Sequence, residues 1–325
     1  MERIKQHPQK VSPWKWIPSL YFAEGLPYVA VITIAVIMYK RLGLSNTEIA
    51  LYTSWLYLPW TIKPLWSPFI DLLKTKRWWI VAMQALIGAA MAGIAFFIPT
   101  HFYVQASLAC FWLMAFSSAT HDISADGFYM LGLSEGEQSF FVGIRNTFYR
   151  FANIFGQGIL VMIAGWIEQR SGNIPLAWSL VFYFMAGLFI ALTLYHSYIL
   201  PRPINDTKTE AINGKGLWEN FLKTFISFFK KEHIGLMLFF LLTYRLGEAQ
   251  LVKIASPFLL DASSAGGLGM STTSVGFIYG TIGVIGLLLG GIVSGILVSR
   301  HGFKRWLLPM ALAINLPDLL YVWLA

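Results

Sequence analysis

Residues Leu42–Trp78 read LGLSNTEIALYTSWLYLPWTIKPLWSPFIDLLKTKRW, and residues Leu268–Trp306 read LGMSTTSVGFIYGTIGVIGLLLGGIVSGILVSRHGFKRW. With one two-residue gap the second lies on the first. Each opens Leu-Gly-apolar-Ser-polar-Thr, passes through an apolar run and closes on Lys-Arg-Trp. A single carboxylate, Glu24 or Glu248, stands about twenty residues upstream of each copy. Both copies run in the same direction, and parallel repeats of membrane-crossing segments relate the two halves of one large group of transporter folds. Position, direction and motif agree together, so the repeat predicts a duplicated, all-α membrane architecture.

Composition points to the same solvent. The 325 residues are 56% hydrophobic and 12% charged, with a mean hydropathy of +0.60, too apolar for a water-covered surface. A spanning helix needs about 20 mostly apolar residues. Runs of that kind are predicted at Ile17–Tyr39, Ile49–Ile70, Trp78–Pro99, Val104–Leu133, Phe140–Ile167, Leu176–Leu200, Ile234–Leu260, Val275–Val298 and Trp306–Ala325. The first run holds Glu24 and is too long for a signal-peptide core, so it reads as a retained helix. The single Cys110 excludes an intrachain disulfide.

The net charge of +8 would suit nucleic acid if it were spread over a surface. It alternates by side instead. Sixteen Lys and Arg lie on the side of the N-terminus, at positions 3–15, 74–77, 202–231 and 300–305. Only Lys40, Arg41 and Arg170 lie opposite, and five more fall inside the apolar runs. The positive-inside rule then predicts a multi-pass protein of the cytoplasmic membrane, with its N-terminus and the loop at 201–232 in the cytoplasm. A reporter near Lys215 is expected inside and one near His101 outside. An even number of crossings separates the two cytoplasmic stretches, which fits a six-helix bundle over residues 1–200, a loop at 201–232 and a second bundle from 233 to 325.

The second basic turn, GGIVSGILVSRHGFKR at Gly290–Arg305, resembles the glycine-and-arginine turn of the major facilitator superfamily. In the first copy PLWSPFID at Pro64–Asp71, followed by Lys74–Arg77, looks like the AmpG-like branch. SATHDISADG at Ser118–Gly127 is similar to the SATQDIAxDG-like signature of AmpG-like muropeptide permeases and of the related acetyl-coenzyme A transporters, with His121 where glutamine is usual. The resemblance implies the major facilitator fold of two parallel-repeat six-helix bundles. It implies solute transport, proton-driven in the muropeptide branch, and gating turns at Asp71, Lys76, Arg77, Arg300, Lys304 and Arg305. Such a fold has twelve helices, whereas this chain stops at Ala325 while still apolar. The expectation is therefore a fold truncated to about nine helices, a chain that inserts in membranes without transporting, although a natural nine-helix protein is the other reading.

Charged groups within the runs mark candidate sites, because each costs roughly 2.5 to 3.5 kcal/mol at mid-membrane. Glu24, Lys63, Asp122, Asp126, Arg145, Arg150, Arg245, Glu248 and Lys253 would cost on the order of 25 kcal/mol if all faced lipid, so most must face protein or water. Lys63 and Arg145 sit nearer helix ends and could snorkel. Asp122 and Asp126, four apart, share one helix face. Two carboxylates that close resist ionising together, which suits a proton carrier; an ion-paired strut is the alternative. Glu24 and Glu248 are next in line for coupling.

Asn146, Arg150, Asn153 and Gln157, spaced four, three and four, form a polar stripe that either lines a wet path or bonds to neighbouring helices. Arg150 is the expected partner of the aspartates. Arg245 and Glu248, three apart, pair with each other or across helices, leaving Lys253 the freer cation. These cations, with His121 and Tyr21, are the candidate contacts for an anionic or amphiphilic solute: a muropeptide, or alternatively acetyl-coenzyme A or another small anion or peptide. Tyr28, Trp55 and Trp60 could stack on a ring or belong to interfacial belts. The glycines of Val275–Val298, with Gly156 and Gly158, read as close-packing positions. An intramembrane enzyme built on His121, Asp122 and Asp126 is the rival class. Without HExxH, GxSxG or a phosphate loop it is disfavoured, so no enzyme activity, metal or cofactor is expected. The expected partners are the solute, protons and the lipid bilayer, not nucleic acid.

Overall fold

The protein was analysed as a computed structural model that describes every residue except 1–10, 204–205, 207–218, 220–221, 224–225, 228, 245, 302, 317 and 325. Among the described residues there are helices and turns and no strand. Helix α1 spans Pro13–Arg41, α2 occupies 46–73, α3 is Lys76–Phe97, α4 Tyr103–Gly132, α5 Glu135–Ser171 and α6 Ile174–Ile199. Helix α7 spans Ile234–Leu260, α8 occupies 272–301 and α9 303–324. Five of them, α1, α3, α5, α6 and α7, are long and apolar enough to cross a membrane.

Helix α2 departs from the single span expected at Ile49–Ile70. It is three short α-helices, Asn46–Ser54, Leu58–Ile62 and Ser67–Leu73, joined by 3₁₀ turns at Trp55–Tyr57 and Lys63–Leu65. Pro59, Pro64 and Pro68 each stand in the first turn of a piece, where a missing N–H costs nothing, but each removes a donor from the helix before it. Helices α1, α5 and α8 remain continuous and carry one π-helical turn each, at Ala30–Ile34, Phe155–Leu160 and Ile278–Ile282. In α1 this turn begins three residues after Pro27, which also lacks its N–H.

The chain clusters into two compact units. Unit 1 is Met1–Val31, Tyr57–Asn153 and Ser179–Thr209, and unit 2 is Ile32–Leu56, Ile154–Trp178 and Glu210–Ala325. In unit 1 the core near the start of α1 gathers Trp16, Leu20, Tyr21, Ile80, Phe128 and Tyr129, with Trp16 edge-on to Phe128 at 5.3 Å. Polar caps tie its helix ends. The Asp206 carboxylate accepts from the backbone N–H of Lys76 (2.7 Å) and Arg77 (3.1 Å), filling two orphan donors at the start of α3. Arg77 in turn donates to the carbonyls of Leu200 (3.2 Å) and Ser197 at the end of α6.

In unit 2, Gly158 of α5 meets Gly280 of α8 so closely that a Cβ on either would overlap the backbone of the other. Two π-helical turns and two glycines thus let the helices touch, a contact that lipid-bathed helices gain from van der Waals packing. The opening motif of each repeat has a local cause. Gly43 and Gly269 adopt positive φ, +96° and +62°, and the serine two residues on is the N-cap of the next helix. Ser45 completes a capping box with Glu48, and Ser271 accepts from the Ser274 N–H.

Candidate functional site

Unit 1 brings three of the expected carboxylates together. Asp122 is ion-paired with Lys63, and Asp126 Oδ1 accepts from Arg145 Nη2 at 2.9 Å and from the Tyr21 hydroxyl at 3.2 Å. Glu24, buried at 8% exposure, lies close enough to Asp122 and Asp126 to feel their charge, and its Oε2 has no partner among the described residues. Arg145 is also held between aromatic faces, 4.7 Å from the Tyr21 ring and 5.2 Å from that of Tyr129. Three carboxylates therefore meet two cations. The negative charge of the cluster is of the kind that binding a cation or an anionic solute nearby would act on.

The pairing expected with Arg150 is corrected. Arg150 and Asn146 are exposed, Asn153 and Gln157 half-buried, and the aspartates pair instead with Lys63 and Arg145, the two cations set aside as snorkelling. The reason is helical phase. Arg145 lies about 100° from Asn146 round α5 and so falls outside the stripe, on the side that meets α1 and α4. Lys63 is turned inward by the break before Pro64. The glycine that closes SATHDISADG also has a role: the Lys76 side chain crosses Gly127 where a Cβ would sit.

Beside the cluster, His121 joins a buried polar chain. Ser19 Oγ meets His196 Nε2 at 2.8 Å, His196 Nδ1 meets Gln84 Oε1 at 2.9 Å, and Gln84 Nε2 meets His121 Nε2 at 2.9 Å. The donor and acceptor roles along this chain turn together with the Gln84 amide, and His121 Nδ1 is a buried atom with no partner among the described residues. Above Glu24, Tyr28, Tyr57, Trp60 and Tyr149 cluster with ring centroids 5.3–6.5 Å apart; Trp55 is exposed and outside this group.

Unit 2 holds the rest. Thr33, Gln157, Glu248, Ser256, Tyr279 and Tyr321 contribute the polar lining of a cavity of about 250 Å³, with a hydrogen bond of 2.9 Å between Ser256 and Tyr279. Lys253 is half-buried and donates to the Thr53 carbonyl at 3.4 Å. Arg245 lies outside the described residues. Of the basic turns, Lys76 and Arg77 act as described above, Arg300, Lys304 and Arg305 are exposed, and the Asp71 side chain is outside the described set. Among the described residues no three of His, Cys, Asp and Glu are arranged to hold a metal ion.

Sequence reasoning overlooked two carboxylates. Glu168 of α5, with its side chain 5% exposed, accepts from Arg41 Nε (3.0 Å), Thr272 Oγ1 (2.8 Å) and Trp178 Nε1 (2.7 Å). Asp261, just past α7, accepts from Lys40 Nζ (2.5 Å) and Asn46 Nδ2 (2.9 Å). Both stand one residue beyond the ends assigned to their apolar runs, Ile167 and Leu260, which is why they were not counted as intramembrane charge.

A chain that is helical among its described residues, with spanning helices and part-buried ion pairs between them, has the architecture of a multi-pass membrane transporter rather than an enzyme. The Major Facilitator Superfamily profile matches residues 19–325, and the chain belongs to that family. Among curated proteins it is similar to "Putative transporter AmpG 4" of Rickettsia conorii, 25% identical over 321 residues, covering 94% of this chain and 72% of that protein. It is also similar to the anhydromuropeptide permease of Escherichia coli K12, 26% identical over 302 residues, with 89% of this chain and 56% of the permease covered. An uncharacterized protein of Haemophilus influenzae is 24% identical over 320 residues, covering 94% of this chain and 69% of its own length.

Proposed function

We propose that the protein moves a muropeptide-like solute across the cytoplasmic membrane by alternating access, coupled to protons, with its N-terminus in the cytoplasm. Residues 1–200 and 233–325 belong in this reading to the two bundles of the fold. The observation that carries it is the convergence of Glu24, Asp122 and Asp126 with Lys63 and Arg145. A cluster of carboxylates sharing cations can link proton and solute binding, because occupancy of one changes the free energy of the other. The aromatic group of Tyr28, Tyr57, Trp60 and Tyr149 supports a solute with a sugar ring. The stripe of Asn146, Arg150, Asn153 and Gln157, with Lys253 and Arg245, would meet its anionic end. The turns around Asp71–Arg77 and Arg300–Arg305 would act as gates.

Uptake of labelled anhydromuropeptide by full-length protein in proteoliposomes tests the reading, with an imposed inside-acid or inside-alkaline gradient and acetyl-coenzyme A as the competing solute. Accumulation of the muropeptide that follows the proton gradient is expected. Accumulation of acetyl-coenzyme A alone would replace the solute assignment, and accumulation indifferent to the gradient would remove the coupling.

A further inference from the structure

We propose that Lys40 and Arg41 are the two bolts of a latch that closes the 250 Å³ cavity of unit 2 on the membrane side opposite the N-terminus. The inference deepens the transporter reading by naming what controls entry from that side. The two cations are neighbours in sequence at the end of α1, yet each is held by a different carboxylate. Lys40 binds Asp261 at the end of α7, and Arg41 binds Glu168 near the end of α5. Each carboxylate takes a further hydrogen bond from the first helical residue of one repeat copy: Asn46 of α2 donates to Asp261, and Thr272 of α8 donates to Glu168. Lys40 Nζ also donates to Asn46 Oδ1 at 2.7 Å, closing a ring of three side chains. Five helices of one unit are thus fastened at one level.

That level lies over the cavity. Val36, Gln157, Ser256 and Tyr279 line it, and Lys40, Glu168, Asp261 and Thr272 follow or precede them by one to three turns on the same helices. Helix rise places the bolts roughly 6 to 17 Å beyond the lining residues along those helices. The charges are matched one to one, and each carboxylate also accepts from at least one neutral donor, as a closed interface requires. Opening must separate both pairs and rehydrate them. In this arrangement the latch sets the population of the open state.

Access to Ala255, a buried lining residue, provides the test. Ala255→Cys is made in a Cys110→Ala background and labelled in intact cells with a membrane-impermeant maleimide. Exposed Thr47→Cys, beside the bolts, serves as the control for sidedness. Ala255→Cys is expected to label slowly, and about tenfold faster when Asp261→Asn and Glu168→Gln remove both bolts. Lys40→Asp alone should also label fast, and Lys40→Asp with Asp261→Lys should return towards the slow rate. An unchanged rate in the unbolted protein, or no recovery on charge reversal, overturns the latch. If Thr47→Cys labels only in inside-out vesicles, the orientation under Proposed function is what fails, and the same comparison is then read in those vesicles.

Discussion

The carboxylate cluster of unit 1 and the bolts of unit 2 are both ion pairs at helix surfaces, but they differ in stoichiometry. Glu24, Asp122 and Asp126 share Lys63 and Arg145, and Glu24 keeps an oxygen without a partner. Glu168 and Asp261 each own a cation, and their oxygens are filled by Thr272, Trp178 and Asn46. Carboxylates that share cations are the ones a proton can relieve of repulsion, whereas a balanced pair gains nothing from a proton. Charge count, more than burial, therefore separates a group suited to exchanging protons from one suited to holding a shape.

The sharpest break of the comparison is Lys63→Met. It leaves the half-buried Asp122 without its cation, and since breaking a fully buried pair costs about 3 to 5 kcal/mol, the loss here should be up to about 3 kcal/mol. Denaturant or thermal unfolding in detergent should show that loss. Adding Asp122→Asn should recover most of it, since the uncompensated charge is then gone. A double variant no more stable than Lys63→Met alone would mean that the pair does not carry the cost.

The second is Glu168→Gln. The amide can still accept from Trp178 or Thr272 but loses the charge that holds Arg41, a charge-assisted bond of about 1.5 to 3 kcal/mol. Here full rescue is not expected from Arg41→Met, because one amide oxygen accepts more weakly from Trp178 and Thr272 than the carboxylate did. Full rescue would make Glu168 a simple ion pair like that of Asp122.

How these groups were read from sequence follows from where they lie. The repeat was legible because its cause is local: a left-handed glycine and a capping serine recur at Gly43–Ser45 and Gly269–Ser271. The spans at α1, α3, α5, α6 and α7 were legible from apolar length, whereas α2 is divided by its prolines. The aspartates stood out as charge in an apolar run, but their partners did not, because pairing depends on how helices are rotated against each other. Glu168, Asp261, Lys40 and Arg41 all sit one or two residues past the ends of their runs, where charge is ordinary. Gln84 and His196 carry no net charge to draw notice.

The third expected effect is on coupling. A gradient of one pH unit supplies about 1.4 kcal/mol per proton, hence about tenfold accumulation of solute for each proton moved. Asp122→Asn or Asp126→Asn should reduce this to no accumulation in at least one case, while solute exchange between the two sides persists. A merely structural role predicts less folded protein and unchanged accumulation per folded molecule. If both well-folded variants still concentrate solute, Glu24 and Glu248 are the remaining candidates.

The smallest effect belongs to Asp261, and its value lies in being flat. Partial burial favours the neutral acid, but hydrogen bonds from Lys40 and Asn46, with the Lys40 charge, outweigh it and hold the carboxyl below its ordinary value of 3.8. No other titratable side chain bonds to it among the described residues. A group whose folded pKa is depressed contributes stability above its unfolded pKa and loses it as pH falls through the folded value. The Lys40–Asp261 contribution, about 0.2 to 1 kcal/mol for a pair this near the surface, should therefore be constant from about pH 8 to 5 and fade only below about pH 4. The unfolding midpoints of the unmodified protein and Asp261→Asn, compared across that range, measure it. A constant gap keeps this bolt outside the proton cycle and leaves proton exchange to the surplus carboxylates of unit 1. A gap that closes between pH 7 and 5 would put a proton on Asp261 under working conditions, and the line drawn between the balanced pair and the surplus cluster would fall.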